Sequence, residues 1–164
     1  MSARYVPEEK EMWWYVPEVD DISAPTVAEI NAGTEMTCAI KEVTGFSAKS
    51  DSVEGPDLCS RVVSKFPGKI TLDDSQITFY KSSVETDVEE IVRALLPRDT
   101  SGFVLRFHPK DHLKQVIAAD STCEVWPVTV SSNLVEPPKP GELVTYIVGF
   151  TATTEPDQDA TLAA

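Results

Sequence analysis

Hydrophobic and polar positions alternate most regularly near the C-terminus, where they predict two strands, Cys123 to Ser132 and Leu143 to Thr153. In the first, Trp126, Val128 and Val130 share a face, with Val125, Thr129 and Ser131 opposite. In the second, Val144, Tyr146, Val148 and Phe150 alternate with Thr145, Ile147, Gly149 and Thr151. The aromatic and valine face requires a cover. The threonine, serine and glycine face is mild enough for water or a neighbouring subunit.

The same reading runs through the rest of the chain. Met12 to Val16, limited by Pro7 and Pro17, is expected to be an edge strand. Ser23 to Gly33 reads as a short helix with Thr26 and Glu29 at capping-box spacing, Val27 and Ile30 facing inward, and Gly33 as a left-handed stop. Thr34 to Ile40 alternates as a half-buried strand, and Ile70 to Ser82 returns to strand character around a turn at Asp73 to Ser75. Val84, Val88, Ile91, Val92, Leu95 and Leu96 form one stripe at helical spacing, opened by a Thr86/Glu89 capping box and stopped by Pro97. That stripe is expected to bury itself, Leu95 included, on the sheet or on the next subunit. After a turn at Arg98 to Ser101, Gly102 to Phe107 is a strand, His108 to Asp120 a connection, and Glu136 to Gly141 a stiff polyproline-like link.

One stretch breaks the pattern. From Lys41 to Lys69 periodicity disappears among glycines, serines and prolines, yet Val43, Phe46, Val53, Leu58, Val62, Val63 and Phe66 remain. A free solvent loop has no use for them, so a loop or long hairpin reaching another surface is expected. The acidic tail, Thr154 to Ala164, reads as mobile unless a neighbour holds it.

Composition narrows the classes. At 164 residues and 41% hydrophobic content the chain fits one globular domain. Its 14 Lys and Arg against 27 Asp and Glu leave a net charge of −13, which disfavours a tight grip on nucleic acid or an anionic membrane. No apolar run is long enough to span a bilayer. The first residues, MSARYVPEEKEMWWY, lack a basic-then-apolar leader, so secretion is not expected. Cys38, Cys59 and Cys123 are odd in number and widely spaced, and read as buried free thiols of a reducing compartment.

The residues that invite chemistry do not assemble into a set. His108 and His112 lie four apart, but no further ligands complete a zinc pattern, and surface histidines are the simpler reading. Cys59 has Arg61 nearby, which favours a thiolate, but no histidine at base spacing. The glycines match no phosphate-cradling loop. Trp13 and Trp14 suit edge-strand packing or a subunit contact better than a ligand platform. No catalytic residues, cofactor or metal site are expected.

An ordered series of short runs carries a resemblance. PTVAEINAGTEMTC (25–38), GFS (45–47), PDLCSR (56–61), SKFPGK (64–69), DSQITFY (74–80), RALLPR (93–98), GFVL (102–105) and VWPVTV (125–130) follow one another along the chain. Together they resemble the major tail protein, or tail tube protein, of long flexible-tailed bacteriophages of actinobacteria, with a departure at His108 to Asp120. The resemblance implies a mainly β, sandwich or barrel-like domain with a flanking helix, an extended loop (41–69) and terminal arms (1–21 and 154–164). It implies a virion protein, made in the host bacterial cytoplasm, whose hexameric rings stack into a tube for DNA. Partners would be its own copies, a tape measure protein, a tail terminator and distal tail or baseplate proteins, with transient, non-specific DNA passage and no membrane. Inter-subunit contacts are expected at Trp13, Trp14, Phe46, Leu58, Arg61 and Phe66. Two rival classes remain, a secreted or surface β-sandwich adhesion module and a small cytosolic enzyme.

Overall fold

The computed structural model describes residues 11–108 and 117–164. Among the described residues ten strands and two α-helices follow in order: β1 (Met12–Val16), α1 (Val27–Asn31), β2 (Thr34–Glu35), β3 (Ile40–Thr44), β4 (Ala48–Gly55), β5 (Ser64–Leu72), β6 (Ser75–Tyr80), α2 (Val88–Leu95), β7 (Ser101–Phe107), β8 (Thr122–Val135), β9 (Thr145–Ala152) and β10 (Asp157–Thr161). Eight of the strands make one sheet in the order β2-β1-β7-β8-β9-β6-β3, with β10 added alongside β8, while β4 and β5 form a separate hairpin. The expected mainly β architecture with a flanking helix is the one observed.

The sheet is rolled. Five strand spacings separate β1 from β3, roughly 24 Å in a flat sheet. Yet the rings of Trp13 and Phe46, from those two ends, lie 5.4 Å apart, and Phe46 also meets Trp126 at 5.6 Å and Phe150 at 6.0 Å. Inside the roll, Trp13 and Tyr15 of β1, Val104 of β7, Trp126, Val128 and Val130 of β8, Tyr146, Val148 and Phe150 of β9, and Ile77 and Phe79 of β6 form the main core. The alternation read near the C-terminus therefore places Trp126 to Phe150 as expected.

The opposite face is only half as bare as its threonines suggested. Around β1, β7 and β8 a second core forms from Met12, Val16, Leu105, Phe107, Cys123 and Val125, covered by Ile30, Ala160 and Leu162. The tail supplies much of that cover. β10 pairs antiparallel with β8 (Asp157 opposite Val125, Ala160 opposite Cys123), continuing along the edge that β9 uses further on. Thr154 to Ala164, expected as an arm held by a neighbour, is thus held by its own chain, because Ala160 and Leu162 close the second core. The described part of the expected N-terminal arm is likewise body, as β1 pairs with both β2 and β7. Over β3, β6 and β9 the outer face stays accessible, with Thr44, Gln76 and Thr151 exposed.

Helix α1 forms where its capping box predicts. The Thr26 hydroxyl accepts from the Glu29 N–H at 3.2 Å, and Glu29 Oε2 accepts from the Thr26 N–H at 2.6 Å. Gly33 is not the left-handed stop it resembled, since its φ is not positive. Glycine is required there for space: a Cβ would sit 2.5 Å from the Tyr15 carbonyl oxygen. Thr34 to Ile40 is not one strand either, because a 3-10 turn at Thr37–Ala39 buries Met36 and Ala39 and turns Cys38 outward. The N-cap of α2 is Asp87 rather than Thr86 in a Thr86/Glu89 box; Val92 is its buried residue, and Leu96, the C-cap, is buried beside it. Leu95 is 40% exposed, so the stripe is split between core and surface.

Phe46→Ala removes the ring that joins the two ends of the sheet and lowers the stability of the unassembled protein by about 3–5 kcal/mol. Phe66→Ala, on an exposed side chain, changes it by less than about 0.5 kcal/mol in the same denaturant titration. Glu29 is held below its ordinary value of 4.5 by the Thr26 and Asp20 N–H groups, so its contribution to folding is present above that value and fades as pH falls through the lowered one. Stability curves of the parent and Glu29→Gln therefore differ at neutral pH and converge in acid.

Candidate assembly surfaces

The non-periodic stretch becomes a hairpin standing off the body. β4 and β5 pair antiparallel from Ala48 opposite Leu72 out to Gly55 opposite Ser64, with an irregularity between Ser50 and Ser52. Eight and nine residues of strand give a reach of about 25–30 Å. The arm comprises residues 48–72 rather than 41–69: Lys41 to Thr44 belong to β3, and Phe46 is 7% exposed in the main core.

Its root is fastened. Gly45 (φ 84°) and Phe46 (φ 51°) reverse the chain, and the Phe46 N–H donates to Ser75 Oγ at 2.8 Å. The Ser47 hydroxyl donates to Asp73 at 2.7 Å and Lys49 Nζ lies 3.4 Å from the same carboxylate, which together hold Asp73 below the usual carboxylate range. Beyond the root almost nothing is buried. Val53 and Phe66 face each other across the ladder and are 58% and 57% exposed. Leu58, Val62 and Val63 at the tip and Ile70 lower down are exposed as well. Such a row of apolar side chains in water marks a surface meant for contact.

A second apolar surface lies on α2. Val88, Ile91 and Leu95 are at least 40% exposed, in a row one turn apart, and Val84, in the bend before the helix, is exposed as well. The helix is fixed from beneath: the Tyr146 hydroxyl donates to the Glu89 carbonyl at 2.6 Å, and Asn133 Nδ2 donates to the carbonyls of Arg93 and Leu96 at 3.2 and 2.9 Å. Burial, with Glu90 nearby, pushes the Tyr146 phenol well above its usual value, so it stays a donor.

The residues expected at subunit contacts separate accordingly. Leu58, Arg61 and Phe66 are exposed on the arm. Trp13 and Phe46 are spent inside the chain's own core, which removes them from that role. Trp14 is half-buried against the second core, its indole N–H without a hydrogen-bond partner among the described residues. The stripe expected to pack on the sheet or on the next subunit is divided, with Val92 and Leu96 on the chain's own core and Val88, Ile91 and Leu95 exposed.

Chemistry does not gather around the titratable groups. Among the described residues no cluster of three or more His, Cys, Asp or Glu could hold a metal. His108 sits 3.1 Å from Glu124 and 3.8 Å from Glu11, both of which also approach Arg106. That ion cluster ties the ends of β1, β7 and β8 together. His112, the other half of the sequence pair, lies outside the described residues. Cys123 is buried as expected, and burial with the Asp157 and Glu124 carboxylates pushes its thiol up to about 12, leaving it unreactive at neutral pH. Cys38 and Cys59, expected to be buried, are both exposed.

Comparison with solved structures bears on the fold. A chain of the sheath/tube terminator of the PVC extracellular contractile injection system, in the extended state, superposes with a TM-score of 0.65 at 9% identity, over 98% of this chain and 100% of that one. A chain of the anti-feeding prophage baseplate gives 0.64 at 8% identity, over 98% of each. One from the PVC sheath–tube complex gives 0.58 at 11% identity, over 95% and 92%. At identities this low, the superpositions show a shared fold alone. Among curated proteins, none matches the sequence. The sequence itself, over residues 2–164, matches the phage tail tube protein family, so this chain belongs to that family of structural phage tail proteins.

Proposed function

We propose that copies of this chain form hexameric rings that stack into the tail tube of a long flexible-tailed bacteriophage of actinobacteria, the conduit for DNA during ejection. The observation that carries this reading is the β4–β5 arm. It exposes Val53, Leu58, Val62, Val63, Phe66 and Ile70 while its root is fastened to the body by Phe46, Ser47 and Asp73. A domain that rigidly presents apolar side chains to water has a partner for them, and in a tube the partner is another copy. The actinobacterial assignment rests on the ordered runs from Pro25 to Val130. At its two ends the tube would meet a tail terminator and the distal tail or baseplate proteins, and a tape measure protein would occupy it during assembly.

The charge balance suits a conduit. A wall that passes DNA must not hold it, and a subunit at −13 repels phosphate without reading sequence. The accessible face of β3, β6 and β9, with Thr44, Gln76 and Thr151, is the proposed inner wall.

Replacing residues 52–67 by a short Gly/Ser turn tests the arm. Because loop closure changes by well under about 1 kcal/mol, the melting temperature stays within a few degrees of the parent, while electron micrographs of the concentrated protein lose long tubes. Tubes of normal length from the shortened chain overturn the reading, and a parent that stays a plain monomer favours a surface binding module. For the wall, the assembled parent retains no duplex DNA at physiological salt. Gln76→Lys with Thr151→Lys introduces salt-sensitive retention, measured by co-sedimentation.

A further inference from the structure

Granting that the arm contacts another copy, the open question is where on that copy it lands. We propose that the β4–β5 arm of one copy seats on the exposed row Val88, Ile91 and Leu95 of α2, with Val84 just before it, in the copy stacked next to it.

Topology gives the first argument. The arm returns to the body at Leu72, β6 begins three residues later at Ser75, and its far end, Tyr80, leads into Val84 and α2. Root and helix therefore lie at opposite ends of β6, which spans about 20 Å over six residues. The arm leaves from one end of the molecule and the helix row is presented at the other. A contact between two different surfaces at opposite ends is heterologous, and repeated from copy to copy it propagates a stack without closing on itself.

Charge gives the second. From Leu58 to Leu72 the arm carries Arg61, Lys65 and Lys69 and no acid. From Val84 to Glu90 the helix segment carries Glu85, Asp87, Glu89 and Glu90 and no base. In a chain at −13, a run of three bases is conspicuous, and it borders the apolar side chains of the arm as the acids border those of the helix. Apolar row against apolar row, with opposite charges at the rim, gives both the area for association and the register. Arg61 and Lys69 make no ion pair among the described residues, and Lys65 reaches Glu54 only at 3.8 Å between two exposed groups. They remain available to a partner.

Cys59, exposed at the tip of the arm, supplies a built-in reporter. In a Cys38→Ser background, Ile91→Cys should give a ladder of disulfide-linked chains when assembled protein is oxidised. Asn31→Cys, on exposed α1, should not. Independently, Val88→Asp with Ile91→Asp should melt like the parent and lose tubes. Glu85→Lys with Glu89→Lys should also lose tubes, and adding Arg61→Glu with Lys69→Glu should restore them. The proposal is overturned if Ile91→Cys links no better than Asn31→Cys, or if the aspartate variant assembles normally. If either happens while the shortened arm still abolishes tubes, the arm lands elsewhere and its assembly role stands. If the shortened arm forms tubes, that role itself fails.

Discussion

Everything in this molecule depends on bringing the two ends of one rolled sheet together, and Phe46 is the side chain that does it. Its ring fills the space between Trp13 of β1, Trp126 of β8 and Phe150 of β9, so the segment after β3, the last strand of the order, is packed back against β1, next to the first. The ring reaches that position only because Gly45 and Phe46 adopt positive φ, a conformation that costs a non-glycine residue about 1 kcal/mol or more. Burying an aromatic ring in the core offsets that cost. A side chain at position 45 is excluded twice, by φ and by a Cβ that would lie 2.6 Å from the Asp74 carbonyl oxygen.

The same two residues aim the arm. The chain leaves β3 at Thr44, dips into the core at Phe46 and emerges at Ala48 to begin β4, while Ser75 and Asp73 hold the returning strand by hydrogen bonds. Closure of the body and direction of the arm are therefore one structural event. This suits an assembly subunit, since an arm that reaches another copy is useful only if its base does not swing. The conformational entropy of the arm is reduced before any partner arrives.

The body then divides labour between its two faces. One face, with Trp126, Tyr146 and Phe150, makes the core that any sandwich needs. The other is covered over β1, β7 and β8 by α1 and β10 and left accessible over β3, β6 and β9. TM-scores near 0.6 at about 10% identity to the contractile-injection-system chains show that this fold is reached from very different sequences.

Local chemistry made much of this legible in the sequence. Period-two alternation set the strands from Trp126 to Phe150, Thr26 and Glu29 set the start of α1, and the apolar residues stranded among glycines and prolines marked an arm. These features depend on neighbours a few residues apart, and a sequence shows such neighbours directly. What failed were judgements about partners far along the chain. Phe46 and Trp13 were expected at subunit contacts, and Leu95 buried on the sheet or on the next subunit, although each is merely apolar until the roll of the sheet decides which side it faces. The tail was read as mobile because its acids are obvious, whereas Ala160 and Leu162 acquire a place only once β8 offers its free edge and Val125 needs a cover. Gly33 looked like a conformational stop, but it is dictated by the approach of Tyr15, which lies on another strand. The sequence alone determined the elements and their polarity, because hydrogen bonding and side-chain periodicity are local. The tertiary structure decided which apolar residues stayed exposed, because that depends on what the chain's own core leaves uncovered.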